Sequence, residues 1–264
     1  MRIYGIQADL EWEDKDANFT KIRSLLDDKM IQTESLIVLP ETFSTGFSMN
    51  LKVTAMNEPG QTESFLSGLA QDKKCWVTGG LIEPTADVQK GINRSVTFSP
   101  IGEKLSGYGK VQPAAIYRED EVHEPGDRVD VFALGGFQAC PLICYDLRFP
   151  ELFRIGMQKE ANLFIVIACW PKIRIEHWIT LLKARAIENL SYVIGINRVG
   201  SDPNLVYGGR SLIIDPKGEI LTDGGEEESV VEVEIDPKFV EQWREEFPVL
   251  NHARPEFLPP KHSA

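Results

Sequence analysis

The chain has 264 residues, of which 42% are apolar, and it carries a formal net charge of −12. This acidity argues against a nucleic-acid partner, which needs a basic surface, and no apolar run approaches the roughly 20 residues that span a bilayer. The first residues enter a strand pattern at once and lack the layout of a signal peptide, so we expect a cytoplasmic protein with no membrane partner.

Apolar strands alternate with amphipathic helices along the whole chain, which is the pattern of an α/β protein. In the first half we predict a helix at 18–33, a strand at 36–39, a helix at 64–73, a strand at 75–82, and hairpins at 94–108 and 131–144. In the second half we predict a helix at 150–160, a strand at 163–169, a helix at 176–190, strands at 192–197, 211–215 and 219–221, and a half-exposed or edge strand at 229–235. These roughly ten to twelve strands exceed what one twisted open sheet usually holds, so we expect two mixed sheets in one domain, with helices outside.

Cys144 stands where a predicted strand ends, a few residues before a helix that begins at Pro150. The dipole and the unpaired N–H groups at a helix N-terminus favour a thiolate and can also hold an oxyanion. A free cysteine is also a common small core residue, and this segment alone leaves both interpretations open. None of the four cysteines forms a Cys-x-x-Cys pair and the four histidines lack ligand spacing, so we predict no metal site.

Two charged residues occupy similar positions at strand ends. Glu41 follows the buried strand 36–39, where a carboxylate is either a capped structural group or a base tuned by burial. Lys110 follows the strand that ends at Tyr108, and alone it would be read as an ordinary surface lysine. No histidine sits at the end of a core strand, so a papain-like Cys–His pair is not expected.

Together, Glu41, Lys110 and Cys144 resemble the nitrilase superfamily of carbon–nitrogen hydrolases, whose signature is a Glu-Lys-Cys triad at strand ends. The most specific match is the run CYDLRFPELFR at 144–154. The resemblance covers nearly the whole chain, and the other matching segments are 39–50, 79–80, 93–94, 107–110, 168–171, 183–189, 195–200 and 211–216. The superfamily also uses a second glutamate upstream of a Pro-Gly pair, a place that Glu119 fits better than Glu121.

The resemblance implies a four-layer α-β-β-α sandwich with two mixed β-sheets, and an enzyme that hydrolyses linear amides without a cofactor or a metal. Glu41 would be the general base and Cys144 the nucleophile that forms a thioester. Lys110 and the backbone N–H of Tyr145 would hold the oxyanion. Glu119 would orient Lys110 or the substrate.

Within the superfamily, the segments 42–50 and 247–251 and the Trp-Pro pair at 170–171 look most like the omega-amidase branch. Members of that branch release ammonia from amides of short dicarboxylic acids such as 2-oxoglutaramate. On this interpretation Arg174 would pair with the distal carboxylate of the substrate. Phe43 and Trp170 would wall a small pocket, although aromatic residues at strand ends are also common core residues.

The sequence departs from the family in the loop 111–117, VQPAAIY, which follows Lys110. This loop leaves the substrate preference and the local geometry of the lysine open. One alternative is therefore another hydrolase of the superfamily, either an N-carbamoyl amino acid amidohydrolase or a nitrilase. A second alternative is a non-catalytic binding module that keeps the fold, which the complete triad argues against.

The resemblance also implies a homodimer or a higher homo-oligomer. We expect one hydrolase domain over residues 1–264, in which the tail from about 237 either makes a dimer contact or folds back on its own core. The expected partner is a small-molecule amide.

Overall fold

A computed structural model describes residues 1–55, 60–87 and 89–260, and two six-stranded sheets form its core. In spatial order, the strands of the first sheet are β14 (Ser229–Glu234), β1 (Arg2–Gln7), β2 (Leu36–Val38), β3 (Trp76–Pro84), β4 (Gly91–Phe98) and β5 (Lys104–Gly109). Those of the second sheet are β13 (Ile220–Asp223), β12 (Leu212–Ile214), β9 (Tyr192–Asn197), β8 (Leu163–Ala168), β7 (Phe137–Ile143) and β6 (Phe132–Leu134).

Each sheet has three adjacent parallel strands flanked by antiparallel ones. In the first sheet β1, β2 and β3 run parallel, and in the second β7, β8 and β9 do. The hairpins β4–β5 and β6–β7 supply antiparallel neighbours. Both sheets are therefore mixed, as the sequence predicts.

Helices cover the outer faces of the two sheets. The helices are α1 (Lys15–Asp27), α2 (Leu51–Thr54), α3 (Gln61–Lys73), α4 (Pro150–Gln158), α5 (Ile175–Asn189) and α6 (Pro237–Glu246). Buried residues of α1 and α3 pack with the first sheet in one apolar cluster, and those of α4 and α5 pack with the second sheet in another. The order of layers is helix, sheet, sheet, helix, which confirms the predicted four-layer α-β-β-α sandwich.

The inner faces of the two sheets meet at close range. A Cβ added to Gly5 of β1 would lie only 2.2 Å from Ile196 Cδ1 of β9, so a larger residue there would require the Ile196 side chain to move. Ile3, Val38 and Ile165 are fully buried in the same inter-sheet core. Close packing at this interface fixes how the strand ends of one sheet face those of the other.

The first helix differs from its prediction. It begins at Lys15, because the Asp14 side chain caps it by accepting a hydrogen bond from the Ala17 N–H at 3.0 Å, and it ends at Asp27. Met30, which the predicted apolar stripe includes, is therefore outside the helix and 96% exposed. The periodic pattern found the helix but not its capping residue.

A short antiparallel ribbon, β10 (Val199–Ser201) with β11 (Val206–Gly208), was not predicted. The strand 229–235 was predicted at a sheet edge, and β14 lies at an edge of the first sheet. Within residues 1–55, 60–87 and 89–260, no helix combines the length and the apolar character that crossing a membrane requires.

Candidate active site

The three predicted catalytic residues lie at strand ends that the packing of the two sheets brings together. Glu41 follows β2 after two residues, and Lys110 follows β5 directly, so the first sheet supplies both charges. Cys144 follows β7 directly and belongs to the second sheet. Glu41 and Lys110 are almost fully buried, and Cys144 is 9% exposed.

Lys110 lies between two carboxylates. Its Nζ donates to Glu41 Oε1 at 2.9 Å and to both oxygens of Glu119, at 2.7 Å to Oε2 and 3.0 Å to Oε1. The ring of Phe47 lies on another side of the ammonium, with its centroid 5.4 Å away. The predicted contact of Glu119 with Lys110 is therefore present, while Glu121 is exposed and pairs with Arg118.

Neutral donors complete the coordination of both carboxylates. Asn93 Nδ2 donates to Glu41 Oε1 at 2.8 Å and to Glu119 Oε1 at 3.0 Å. The backbone N–H of Cys169 donates to Glu41 Oε2 at 2.8 Å, and that of Ala114 donates to Glu119 Oε2 at 2.6 Å. Buried carboxylates are stable only when hydrogen-bonded in this way, so each has a fixed orientation.

The ion cluster sets the charge states of its members. Burial by itself would lower the pKa of Lys110, but the carboxylates of Glu119 and Glu41 outweigh it and raise that pKa well above its usual value. Burial would raise the pKa of Glu119, but the charges and hydrogen bonds of Lys110 and His123 hold it well below its usual value. The lysine is therefore a permanent cation and Glu119 a permanent anion over the physiological pH range.

Cys144 is a neutral thiol at rest, which corrects the expectation of a thiolate favoured by a helix N-terminus. Burial raises the pKa of Cys144 well above its usual value, the Glu41 carboxylate raises it further, and Lys110 only partly offsets the two. The dipole of α4 has little influence because a 3₁₀ helix, Cys144–Arg148, separates the thiol from Pro150. A base must therefore take the proton before the sulfur can attack.

The backbone is strained on both sides of the site. Thr42, next to Glu41, has φ 43°, and Cys144 has φ 44°, a left-handed conformation that costs a non-glycine residue roughly 1–3 kcal/mol. The turn after Glu41 also packs tightly on β3, since a Cβ on Gly80 would lie 2.5 Å from the Thr42 nitrogen. Strain of this kind concentrates at functional sites, where it aims a side chain that an unstrained turn would direct elsewhere.

Asp146 links the turn of Cys144 to the loop after Lys110. Its Oδ2 accepts from Tyr108 OH at 2.8 Å and from the Ile143 N–H at 2.9 Å, and its Oδ1 accepts from the Gln112 N–H at 2.9 Å. Burial is the largest influence on this carboxyl and raises its pKa to about 7, although the three donors and Lys110 oppose it. No sequence pattern predicted a role for Asp146.

A small pocket opens onto Cys144 and Lys110. Three of the residues predicted around the substrate, Tyr145, Trp170 and Arg174, line it. Tyr145 lies in the first turn of the 3₁₀ helix, where N–H groups lack helical partners and point outward. The structure thus brings the predicted oxyanion donor, aromatic wall and distal arginine into one cavity with the thiol.

Phe43 does not line this pocket, which corrects its prediction as a pocket wall. It is fully buried and packs against Phe19 and Phe65, with ring centroids 6.1 and 5.8 Å away, in the core between the first sheet and its helices. Phe47, four residues later, lines the pocket instead. The positive φ of Thr42 turns the chain here, so counting from the strand end does not predict which aromatic ring faces the thiol.

The unusual loop after Lys110 forms one side of the pocket. Ala114, Ile116 and Tyr117 from this loop are lining residues, and Tyr117 OH accepts a hydrogen bond from Arg174 Nη1 at 2.9 Å. Lys110 keeps its contacts with both carboxylates despite the departure of the loop sequence. The loop therefore shapes the space for substrate, and the ammonium keeps both of its carboxylate partners.

Besides Asp146 and Phe47, two further residues of the site were not predicted. His123 was given no role, but it is buried, with Nδ1 3.3 Å from Glu119 Oε1. Arg148 lines the pocket, with its guanidinium 4.6 Å from the Trp170 ring centroid. Arg148 could have been predicted, because it lies four residues after Cys144 on the turn that carries the nucleophile. No local pattern distinguishes His123 from its exposed neighbours.

Comparisons with known proteins agree with this geometry. The family model described as carbon-nitrogen hydrolase matches residues 3–245. The chain is 37% identical to a 2-oxoglutaramate amidase of Paenarthrobacter nicotinovorans over 83% of this chain and 78% of that protein. It is 35% identical to omega-amidase YafV of Yersinia enterocolitica over 98% of both. A solved structure from Xanthomonas campestris, XC1258, a CN-hydrolase superfamily protein with an arsenic adduct in its active site, superposes with a TM-score of 0.91 at 31% identity, covering 98% of this chain and 99% of that one.

Proposed function

This chain belongs to the carbon–nitrogen hydrolase family and is a hydrolase that acts on amides; on that premise we propose that it is an omega-amidase. Its substrate would be a monoamide of a short dicarboxylic acid, of the 2-oxoglutaramate type, and its products the free acid and ammonia. The observation that carries this proposal is one pocket in which Cys144 and Lys110 lie together with Arg148 and Arg174. A short substrate could therefore place its amide at Cys144 and its distal carboxylate at the arginines.

We infer that Glu41, Lys110 and Cys144 act as the catalytic residues. Glu41 takes the proton from the Cys144 thiol, and the sulfur attacks the amide carbon, whose C=O electron pair moves to oxygen. Lys110 and the Tyr145 N–H hold this oxyanion. Glu41 then passes its proton to the amide nitrogen, and the C–N bond breaks. Ammonia departs, and the acyl group remains on Cys144 as a thioester.

The second half of the reaction uses the same base. Glu41 takes a proton from water, the hydroxide attacks the thioester carbon, and the C–S bond breaks as Cys144 recovers its proton. Glu119 moves no proton in this scheme, because its pKa lies too far below neutrality for it to act as a base. It instead holds the Lys110 ammonium in place through two hydrogen bonds.

Two arginines are proposed to bind the distal carboxylate. Neither Arg148 nor Arg174 has a carboxylate partner in the described part of the chain, whereas most other arginines there form ion pairs. Arg148 stacks on Trp170 and places Nη1 3.4 Å from His177 Nδ1, and Arg174 is fixed by Tyr117 OH. Guanidinium groups without a carboxylate partner keep their charge available for an anionic ligand.

A substrate panel tests this assignment. Ammonia release is measured with a 2-oxo dicarboxylic acid monoamide, an amide of equal length that lacks the distal carboxylate, an N-carbamoyl amino acid and a nitrile. We expect kcat/KM for the monoamide to exceed that for the truncated amide by about 100-fold or more, because the arginines would otherwise remain unpaired. Turnover of the nitrile alone, or of the carbamoyl compound alone, would establish the corresponding alternative hydrolase. No turnover of any compound would favour the binding module.

Paired variants separate the roles of the pocket residues. Arg174→Met and Arg148→Met should each raise KM for the monoamide and leave the truncated amide unaffected. The matched control is Arg128→Met, because Arg128 is an exposed arginine paired with Asp130 outside the pocket. If both pocket variants lowered turnover of the two amides equally, the arginines would not recognise the carboxylate.

We also propose one domain over residues 1–264, a cytoplasmic location and a homodimer or larger homo-oligomer. The family match over residues 3–245 supports the single domain.

Arg244 of α6 donates to backbone oxygens of Ala161 and Leu190 at 2.8 and 3.1 Å, so α6 folds back on its own core. Beyond α6, Phe247, Val249 and Phe257 are exposed and would form the contact between subunits, which light scattering on the purified protein tests.

A further inference from the structure

A second thiol, Cys169, lines the same pocket as Cys144, and the proposed amidase reaction does not use it. Both cysteines are free in this structure. The Cys169 Sγ donates to the backbone oxygen of Glu41 at 3.2 Å, and its N–H holds the Glu41 carboxylate. The second thiol is therefore packed against the residue that activates the first.

The strand register places the two cysteines within reach of each other. Ile143 of β7 pairs with Ile167 of the parallel strand β8; Cys144 follows Ile143 by one residue and Cys169 follows Ile167 by two, at the same end of the sheet. Continuing the strand spacing of about 4.8 Å past this end, with an offset of one residue, gives a Cα separation of roughly 6 Å. Disulfides form at Cα separations of about 4.4–6.8 Å, and both cysteines line the same pocket, so their placement suits a bond between them.

The charges around the two thiols also connect them. Burial and the nearby Glu41 carboxylate raise the pKa values of both, and each cysteine lies close enough to Glu41 to feel its charge. Both are therefore protonated at rest, and Cys144 becomes nucleophilic only when Glu41 takes its proton. The same proton transfer that begins amide cleavage would expose the sulfur to oxidants.

We propose that Cys144 and Cys169 form a reversible disulfide when a hydroperoxide enters the pocket. The Cys144 sulfur attacks the terminal peroxide oxygen, the O–O bond breaks, and the peroxide leaves as an alcohol or water, which gives Cys144 sulfenic acid. The Cys169 sulfur then attacks the Cys144 sulfur, the S–O bond breaks, and the hydroxide leaves as water with the Cys169 proton. The peroxide is reduced by two electrons, one from each sulfur.

This disulfide would switch the enzyme off and protect it. Cys144 in the disulfide cannot attack an amide, and it cannot be oxidised further to the sulfinic acid, which ordinary thiols do not reduce. The inference rests on the proposed role of Cys144 as the reactive thiol, and it adds a function for Cys169 that amide hydrolysis does not require. Cys75 and Cys140 do not line the pocket; each is buried in an apolar core cluster, Cys75 with the first sheet and Cys140 with the second.

Mass spectrometry after hydrogen peroxide treatment tests the proposal. Tryptic cleavage puts Cys144 in the fragment 129–148 and Cys169 in the fragment 160–172. We expect a covalent pair of these fragments, two hydrogens lighter than their sum, in the wild-type protein. Since fragment 129–148 also contains Cys140, the pair must persist in Cys140→Ala and disappear in Cys169→Ala and Cys144→Ala.

Recovery by dithiothreitol supplies a functional readout. Wild-type protein and Cys140→Ala should regain most of their ammonia release after reduction, while Cys169→Ala should lose it irreversibly as Cys144 becomes sulfinic acid. The proposal would be overturned if peroxide converted Cys144 of the wild type to sulfinic acid without forming the fragment pair. It would also be overturned if iodoacetamide alkylated Cys144 but peroxide did not oxidise it. If Cys144 reacted with neither reagent, its proposed role as nucleophile would fall as well.

Discussion

The two sheets contribute opposite kinds of groups to the site. The end of the first sheet and the loop after it carry the ion cluster of Glu41, Lys110 and Glu119, in which Lys110 and Glu119 hold permanent charges. The end of the second sheet carries Cys144 and Asp146. Burial raises the pKa values of both groups and so favours their protonated forms. Fixed charge on one side thus faces a proton-bearing nucleophile on the other.

This division explains how the site can be both stable and reactive. The charges are hydrogen-bonded to one another and to Asn93 before any substrate arrives, so they need no rearrangement to stabilise an oxyanion. The thiol waits in its neutral form, which is the less costly form to bury. Neither half is complete alone, because the base lies on one sheet and its thiol on the other.

The largest expected effect comes from removing the nucleophile on the second sheet. Cys144→Ala should lower kcat by roughly 10⁴-fold or more, because the remaining groups cannot form a thioester. The fold should persist, since the change removes one sulfur and leaves the ion cluster intact. Ammonia release and thermal unfolding measure the two outcomes, with Cys140→Ala as the control that removes a thiol from the core. Wild-type turnover by Cys144→Ala would refute the proposed mechanism.

Removing the cation from the first sheet should damage both activity and stability. Lys110→Met leaves two buried carboxylates without their counter-ion, which costs about 3–5 kcal/mol of unfolding free energy, and it removes an oxyanion donor worth about 10²–10³-fold in kcat. The control is Lys104→Met, because Lys104 pairs with Glu63 at the surface, where a pair contributes about 1 kcal/mol or less. If denaturant unfolding found Lys110→Met as stable as Lys104→Met, the two carboxylates would not both be ionised at rest.

The sequence predicted each sheet's contribution separately and could not predict how the two meet. Apolar runs followed by Glu41, Lys110 and Cys144 are local patterns, and both the strands and their polar ends were found where predicted. The roles of these residues came from resemblance to a family. The burial of His123 and the position of Phe47 in the pocket, which Phe43 does not line, depend on how the chain turns after each strand. The spacing of apolar residues carries no information about such turns.

The carboxylate that holds Lys110 gives an intermediate effect. Glu119→Gln keeps the shape of the side chain but removes the charge, so the ammonium would be less firmly positioned and kcat should fall by about 10–100-fold, with a smaller change in KM. Glu121→Gln, two residues away on an exposed ion pair, should change neither constant measurably. Equal effects of the two variants in steady-state kinetics would show that Glu119 contributes only to folding.

The smallest expected effect concerns the pH dependence that Asp146 gives to stability. Its pKa is raised to about 7 in the folded protein, against about 3.9 for an unfolded aspartate, so between these values the folded state binds a proton that the unfolded state has lost. The contribution of Asp146 to unfolding free energy therefore falls by a few kcal/mol in total as pH rises from about 4 to about 7. Above about pH 7 it is constant. Denaturant unfolding at pH 5 and pH 8 should show the stability of wild type relative to Asp146→Asn decreasing by about two-thirds of that total, while an exposed control, Asp120→Asn, shows no such change. A relative stability that instead rose with pH would mean that the three hydrogen-bond donors around Asp146 outweigh its burial, and that the second sheet, like the first, carries a permanent negative charge at this site.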